Sequence, residues 1–430
     1  MSAGLWSLVG VIAGGALLRL PLAFVMFCGG AAYLFATRQD IGLLVGQIMS
    51  QMTAMYVLVA VPMFILAANV MNAASISDRL WAAANAVVGR FRGGMGHVTV
   101  LVSMIFSSMS GSAITDAAGP GLVATRMMRD IGKYPAGLAC AITAAAATIA
   151  PIIPPSIPLV IYALLSGASI GALFLAGLVP GVMMGLALMA TIRLMAARRG
   201  LPIGDRVPLR EIPAVFSRAT LSLTLPVVLL GGIWSGVFTP TEAAAVAAFW
   251  ALILGVFVYR KIGPRVMDAV LLESARQSAS TMLLISGAFI INYAVANERL
   301  ADTLVAMITR LDLTQLQFMI VVNLFFLVLG CFLDGVVMML VFVPLLIPSA
   351  RALGIDLTYF GIVVTLNFMI GLITPPYGLL LFVMASLTRT PLIEIIREIW
   401  PFVLALGATL ALLTAAPSIT LFLPRLFGYL

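Results

Sequence analysis

From end to end this 430-residue chain returns to uncharged apolar runs close to the roughly 20 residues that a helix needs to cross a bilayer. Hydrophobic residues make up 62% of it and charged ones 9%, with a mean hydropathy of +1.16. Soluble domains carry about 25% charge, so composition predicts an all-α polytopic membrane protein. Hydropathy places spans near 5–36, 53–72, 134–150, 153–168, 171–195, 219–238, 241–259, 279–296, 357–372, 375–388 and 399–422. The first is expected to bend at Arg19-Leu20-Pro21.

The net charge of +8 does not point to nucleic acid, because its basic residues fall in short loops without interleaved aromatics. Arg193, Arg198, Arg199, Arg206, Arg210 and Arg218 form one cluster, and Arg260, Lys261 and Arg265 another. As positive-inside determinants they put the loop around 198–218 in the cytoplasm. Cys28, Cys140 and Cys331 are scattered and odd in number, which argues against a disulfide framework and for buried packing. The single histidine, His97, cannot build a metal cluster and is expected at a helix entrance. The apolar N-terminus lacks a basic start and a small-residue cleavage site, as an uncleaved first span would.

Two apolar blocks, 95–127 and 316–350, are too long for one span and are interrupted near their middles by SMSGSA and LDGV. Both read as re-entrant hairpins. Amphipathic stretches at 75–94, 264–278 and 297–312 are expected in the membrane interface. The chain also repeats itself. DRLWAAANAVVGRF (78–91) matches ERLADTLVAMITRL (298–311), MRDIG (128–132) matches ARALG (350–354), and IIPPS (152–156) matches ITPPY (373–377). All three pairs lie at nearly the same offset along the chain. That register implies two structural repeats, parallel or inverted, each with a hairpin and a proline-broken span. Such paired breaks mark a transporter site near the midplane.

The chemistry lies at the breaks. The first tip, Ser107 to Ala113, offers glycine for a turn and serine hydroxyls as hard oxygen ligands suited to Na+. A helix starting after Gly111 would aim free N–H groups at the tip; the same small residues also suit a plain helix–helix contact. At the second tip, Asp334 either caps the following helix, binds a cation or gates substrate. Asp116 is a weaker candidate beside a structural hydrogen bond. Unwinding at Thr148–Pro155 and Gly371–Pro376 would free the carbonyls of Ile149, Ile153, Gly371 and Thr374 for a cation. Thr239-Pro240-Thr241-Glu242 reads as a capping box. An intramembrane hydrolase using Ser110 or Ser112 would need a positioned base, and no Walker A pattern supports ATP-driven pumping.

At these residues the chain resembles the large membrane subunit of TRAP (tripartite ATP-independent periplasmic) transporters, DctM type, within the wider ion-transporter superfamily. The matching stretches are VPMFILAANVM (61–71), GRFRGGMGH (89–97), SGSAITDAAG (110–119), TIAPIIPPS (148–156), FTPTEAAAVAA (238–248), LDGVVMMLVFVPLLIP (333–348) and NFMIGLITPPYGLLLF (367–382). The resemblance implies a bacterial inner-membrane importer of an organic acid, driven by Na+, with a small four-span membrane subunit and a periplasmic substrate-binding protein as partners. It implies an elevator in which a hairpin-bearing transport domain moves against a scaffold. On that scheme residues 1–94 and 219–312 are scaffold spans and amphipathic arms. Residues 95–195 and 313–430 are the halves of the transport domain, joined through a cytoplasmic linker at 196–218. Ser110, Gly111, Ser112, Ile153 and Pro154 would hold one Na+, and Gly371, Thr374 and Pro375 another. Ser112, Pro155, Asp334 and Pro376 would lie beside substrate. A related ion-coupled organic-anion transporter or antiporter working without a binding protein would share the fold. Dicarboxylate, keto acid, sugar acid and sialic acid all remain open as cargo.

Overall fold

A computed structural model describes residues 2–18, 20–74, 76–202, 212–333 and 335–429. Every regular element among them is helical. Arg19, Asp334 and residues 203–211 of the linker, including Arg206 and Arg210, lie outside the described residues.

The chain opens with α1 (Ala3–Leu17) and α2 (Leu22–Ala36). They correct the single bent span expected over 5–36: the two helices fold back on each other. Gly15 meets Val25, and Gly4 meets Tyr33 and Thr37, so the start of one helix faces the end of the other. Pro21, which has no N–H to give, stands as the N-cap of α2, and the glycines admit the close approach. The next helix, α3 (Gly42–Ala54), falls in a stretch where no span was expected, because Gln47, Ser50, Gln51 and Thr53 dilute its hydropathy. Then come α4 (Ala60–Ala73), entered through a 3-10 turn, and α5 (Ile76–Val88). The first interrupted block forms α6 (Gly94–Ser110), α7 (Ala113–Ala118) and α8 (Pro120–Asp130). After it, α9 (Ala136–Ala147) and α10 (Ile157–Ser166) flank the first proline break, and α11 (Ile170–Arg199) closes the first half.

The second half begins with α12 (Ile212–Trp234), α13 (Pro240–Ile253) and α14 (Pro264–Asn297). An interfacial helix over 264–278 followed by a span over 279–296 is thus corrected to one 34-residue helix. No glycine or proline interrupts it between Arg265 and Ser286, so nothing stops helix propagation. The remaining helices are α15 (Leu300–Arg310), α16 (Gln315–Gly330), α17 (Gly335–Ala352), α18 (Leu357–Gly371), α19 (Leu379–Thr388), α20 (Leu392–Ala415) and α21 (Pro417–Leu426). Pro417 divides the span expected over 399–422 into α20 and α21. Thr239 and Glu242 form the expected capping box at α13: Glu242 Oε2 accepts from the Thr239 N–H at 2.8 Å, and Thr239 Oγ1 accepts from the Glu242 N–H at 3.3 Å. Cys140 is buried, whereas Cys28 is exposed on α2 rather than packed inside.

Among the described residues, six helices are long and apolar enough to cross a membrane. The helices on either side of the breaks are not. At 12 and 10 residues, α9 and α10 are each about 15–18 Å long, roughly half a bilayer, and span only as an end-to-end pair. Element boundaries recur down the chain. The first block's α7–α8 runs from Ala113 to Asp130 and α17 from Gly335 to Ala352, with the same separation at both ends.

Packing crosses between the halves. Helix α10 lies against α17 and α18 of the second half, while α19 lies against α7, α8 and α9 of the first. Two arginines mark the crossing. Arg351 donates to the Ser166 carbonyl at the end of α10 (2.8 Å), and Arg129 donates to the Thr388 carbonyl at the end of α19 (3.4 Å). The two donors and the two acceptors share one separation along the chain, that of the helix boundaries. A second group, α2, α4, α13 and α14, packs together beside this interlocked core.

The second break is held by the closest backbone contact of its region: a Cβ on Gly371 would lie 2.7 Å from Gly330 Cα. Gly371→Val therefore lowers the thermal unfolding midpoint in detergent through an overpacking cost of about 1–3 kcal/mol. Gly407→Ala, with nothing within 4 Å of the added carbon, leaves the midpoint in place or raises it.

Candidate functional site

The first tip is built by glycine and serine chemistry. Gly111 ends α6 in the left-handed region, at φ 58, where a side chain is strained. A Cβ there would come within 2.5 Å of the Pro155 carbonyl oxygen, so only glycine lets the tip sit directly on the first break. Ser112 caps α7, its Oγ accepting from the Thr115 N–H at 3.4 Å. Ser107 and Ser108 return their hydroxyls to the carbonyls of Ser103 and Ile105. Ser110 does not. The residue is 2% exposed, and its hydroxyl has no hydrogen-bond partner among the described residues.

The two breaks share one turn and differ in the next. Ile149 O accepts from Ile152 N at 2.9 Å, and Ile370 O accepts from Ile373 N at 3.1 Å. Ile149 O also takes the Ile153 N–H, and Gly371 O takes the Thr374 N–H at 3.1 Å. Of the four carbonyls expected to be freed, those of Ile149 and Gly371 are thus engaged. The carbonyls of Ile153 and Thr374, each just before the doubled proline of its break, accept no hydrogen bond among the described residues. Thr374 Oγ1 donates to the Ile370 carbonyl at 2.7 Å and keeps its lone pairs. The environments differ: Ile153, Pro154 and Pro155 are buried, whereas Thr374 and Pro375 are half-buried and Pro376 is exposed.

A cavity of about 380 Å³ lies where tips, breaks and the second helix group meet. That volume falls in the range of small-molecule sites, about 300–1,000 Å³. Ser110, Gly111 and Ser112 line it from the first tip, Pro151 from the first break, Gly335 and Val336 from the second tip, and Met369 and Leu372 from the second break. The facing wall comes from Ile65 and Ala68 of α4 and from Gln277, Ser280, Thr281 and Leu284 of α14. Ile153, Pro154, Pro155, Gly371, Thr374, Pro375 and Pro376 are not among the lining residues. Asp334 precedes the lining residue Gly335 but lies outside the described residues. No arginine or lysine lines the cavity among the described residues.

Asp116 points elsewhere. It is fully buried, and its Oδ2 accepts from Ser103 Oγ at 2.8 Å, bracing α7 on α6. His97 sits in the first turn of α6, edge-on to Phe91 at 6.1 Å between ring centroids. The polar wall of α14 is the part of the site that hydropathy missed. Its signal was the spacing of Gln277, Ser280 and Thr281 at i, i+3 and i+4, which puts them on one helix face.

Residues 8–419 match the family of the tripartite ATP-independent periplasmic transporter, DctM component. The chain belongs to that family. It is 38% identical over 421 residues to the sialic acid TRAP transporter large permease protein SiaM of Vibrio cholerae, with 98% of this chain and 96% of that protein covered. It is 39% identical to the C4-dicarboxylate large permease protein DctM of Pseudomonas aeruginosa, covering 87% of each chain. Identity to the 2,3-diketo-L-gulonate large permease protein YiaN of Escherichia coli is 36%, covering 96% of each. The solved YdaH transporter of Alcanivorax borkumensis shares the fold, at a TM-score of 0.57 and 16% identity over 90% of this chain and 88% of that one. MtrF of Neisseria gonorrhoeae does so at 0.52 and 13% identity, covering 87% and 83%. As a DctM-family member the chain is a transporter permease subunit and not an enzyme.

The two tip serines separate by measurement. Ser112→Ala removes a cap and destabilises the DctM-family chain by about 1 kcal/mol in thermal unfolding. Ser110→Ala leaves stability unchanged or raises it, because its hydroxyl has no protein partner to lose.

Proposed function

We propose that this chain is the large membrane subunit of a Na+-coupled TRAP transporter in the bacterial inner membrane. It imports an organic acid delivered by a periplasmic binding protein and works beside a small four-span membrane subunit. The observation that carries the reading is the cavity that joins both tips and both breaks yet is lined by no arginine or lysine among the described residues. A carboxylate in such a cavity needs a counter-charge, and the unpartnered Ser110 hydroxyl and the free Ile153 carbonyl are hard oxygens of the kind that hold Na+. Thr374 Oγ1 and its carbonyl supply the corresponding oxygens at the second break. Gly111, Ser112, Pro154, Gly371 and Pro375 shape those two ion sites; of the residues assigned beside substrate, Ser112 lines the cavity.

Ion and carboxylate then raise each other's affinity. Opposite charges about 4 Å apart attract by roughly 4 kcal/mol at an effective dielectric of about 20. By linkage that attraction is the coupling free energy. No ATP is needed, because the ion gradient loads the site on one side and empties it on the other.

The recurring helix boundaries, the shared turns at Ile149 and Ile370 and the reciprocal Arg129 and Arg351 contacts support two repeats with re-entrant hairpins. Reading α1, α2, α4, the α9–α10 pair and α11 as the crossings of the first half makes their number odd, which favours inverted repeats. The interlocked core of both halves is the moving domain, and α2, α4, α13 and α14 belong to the scaffold of an elevator.

In proteoliposomes holding the complete tripartite system, uptake of the organic acid depends on a Na+ gradient. Ser110→Ala and Thr374→Ala each raise the Na+ concentration for half-maximal uptake, by about tenfold if one ligand interaction is lost. Unchanged Na+ dependence in both variants rejects the ion sites. Uptake by this chain alone, indifferent to the binding protein and the small subunit, rejects the tripartite assignment.

A further inference from the structure

We propose that Asn323 of α16 and Asn367 of α18 are a positioning pair that fixes the second tip against the second break and thereby sets the affinity of the second ion site. The inference rests on the reading of that break as an ion site and adds what holds its two sides in register. Amide side chains within membrane helices serve to hydrogen-bond one helix to another. Asn323 is the one polar side chain of α16 between Phe318 and Leu329, and both asparagines are buried.

Their hydrogen bonds tie three helices together. Asn367 Nδ2 donates to the backbone carbonyl of Asn323 at 2.9 Å and to its Oδ1 at 3.0 Å. Asn323 Nδ2 donates to Thr414 Oγ1 on α20 at 2.8 Å, and the Tyr359 hydroxyl of α18 donates to the Thr414 carbonyl at 2.9 Å. Thr414 Oγ1 sends its own proton back to the Leu410 carbonyl at 2.7 Å, which leaves its lone pairs for Asn323.

From this pair, contacts lead step by step to the ion site. Phe326 meets Phe368 edge to face at 4.8 Å between ring centroids, and Gly330 meets Gly371 backbone to backbone. Asn323 with Asn367, Phe326 with Phe368 and Gly330 with Gly371 follow the same order on both helices. Helices α16 and α18 therefore run side by side in one direction, towards tip and break. Asn367 stands about one turn before Gly371, and Asn323 about two turns before Gly330. A slip at the asparagines is carried along both helices to the glycine contact, and with it to Thr374. The first half has no such pair. At the offset that aligns Pro154 with Pro375, the matching residues are Val102 and Ala146, both buried. The amide pair thus belongs to the second break alone and is not a packing device common to both halves.

The test uses the full-length chain in lipid nanodiscs and reads position and affinity separately. For position, Phe332→Cys on the tip and Tyr377→Cys on the break, both exposed, carry spin labels in a chain whose Cys28, Cys140 and Cys331 are alanine. Double electron–electron resonance gives one narrow distance with both asparagines present and a broadened or displaced one in Asn367→Leu. For affinity, the thermal unfolding midpoint is followed against NaCl, with choline chloride holding ionic strength, in a Ser110→Ala chain so that the response reports the second site. The half-saturating Na+ concentration rises about tenfold in Asn367→Leu, a loss typical when a group orienting a metal ligand is removed. A purely structural loss lowers the midpoint at every Na+ concentration and leaves the half-saturating one in place. Thr365→Val is the comparison. It removes a buried α18 hydroxyl that donates to the Gly361 carbonyl of its own helix at 2.7 Å, and it moves neither readout. Thr414→Val, which keeps both asparagines, is the milder variant and moves both readouts the same way by less, and Thr414→Ser restores them. An unchanged distance or an unchanged half-saturating Na+ concentration in Asn367→Leu and Thr414→Val overturns the proposal, as do equal shifts in Thr365→Val. A midpoint indifferent to Na+ in the unmodified chain, with the distance still broadened by Asn367→Leu, rejects the ion reading and leaves the register role standing.

Discussion

A peptide carbonyl in hydrocarbon must find a partner or cost several kcal/mol, and this chain interrupts two apolar segments where no water is guaranteed. Much else follows from how those interruptions are resolved. Short i+3 turns at Ile149 and Ile370 recapture part of the backbone, and Gly111 and Gly330 bring neighbouring helices within backbone contact. What remains is small and specific: the carbonyls of Ile153 and Thr374, at equivalent positions, and one buried serine hydroxyl. Oxygen left over in this way is the raw material of an alkali-ion site.

The cavity beside these oxygens is bounded by two different kinds of wall. Tips and breaks provide backbone and hydroxyl oxygen. The facing helices α4 and α14 provide apolar packing and a short polar stripe whose orientation is fixed by Asn69. A contact shared between an interlocked core and a separate helix group is made and unmade if one moves against the other. Differential contact of this kind is what lets cargo shift a conformational equilibrium.

Much of the fold was legible because proline and glycine act locally. The doubled prolines at 154–155 and 375–376 announced both breaks, and SGS and LDG announced both tips. Legibility failed where hydropathy averages over distinct geometries. An apolar run over 5–36 reads the same whether it bends once or folds back as α1 and α2, and only the packing of Gly4 on Tyr33 distinguishes them. A polar stretch over 264–278 reads the same whether it faces headgroups or lines a cavity, so the start of α14 looked like a surface arm. The pairing of α10 with the second half had no local signal, since Arg351 and Ser166 are remote in sequence.

That remote pairing bears on how the molecule is made. The helix Ile157–Ser166 is inserted early but rests on α17 and α18, and its terminal carbonyl takes Arg351. Its first-half neighbours are α4 and α11, but its packing on α17 and α18 waits until most of the second half has been made. The contacts that lock the halves together therefore form late in synthesis. A helix waiting that long in lipid has to be tolerable alone, and IPLVIYALLS, apolar and capped at its start by Ser156, is such a segment.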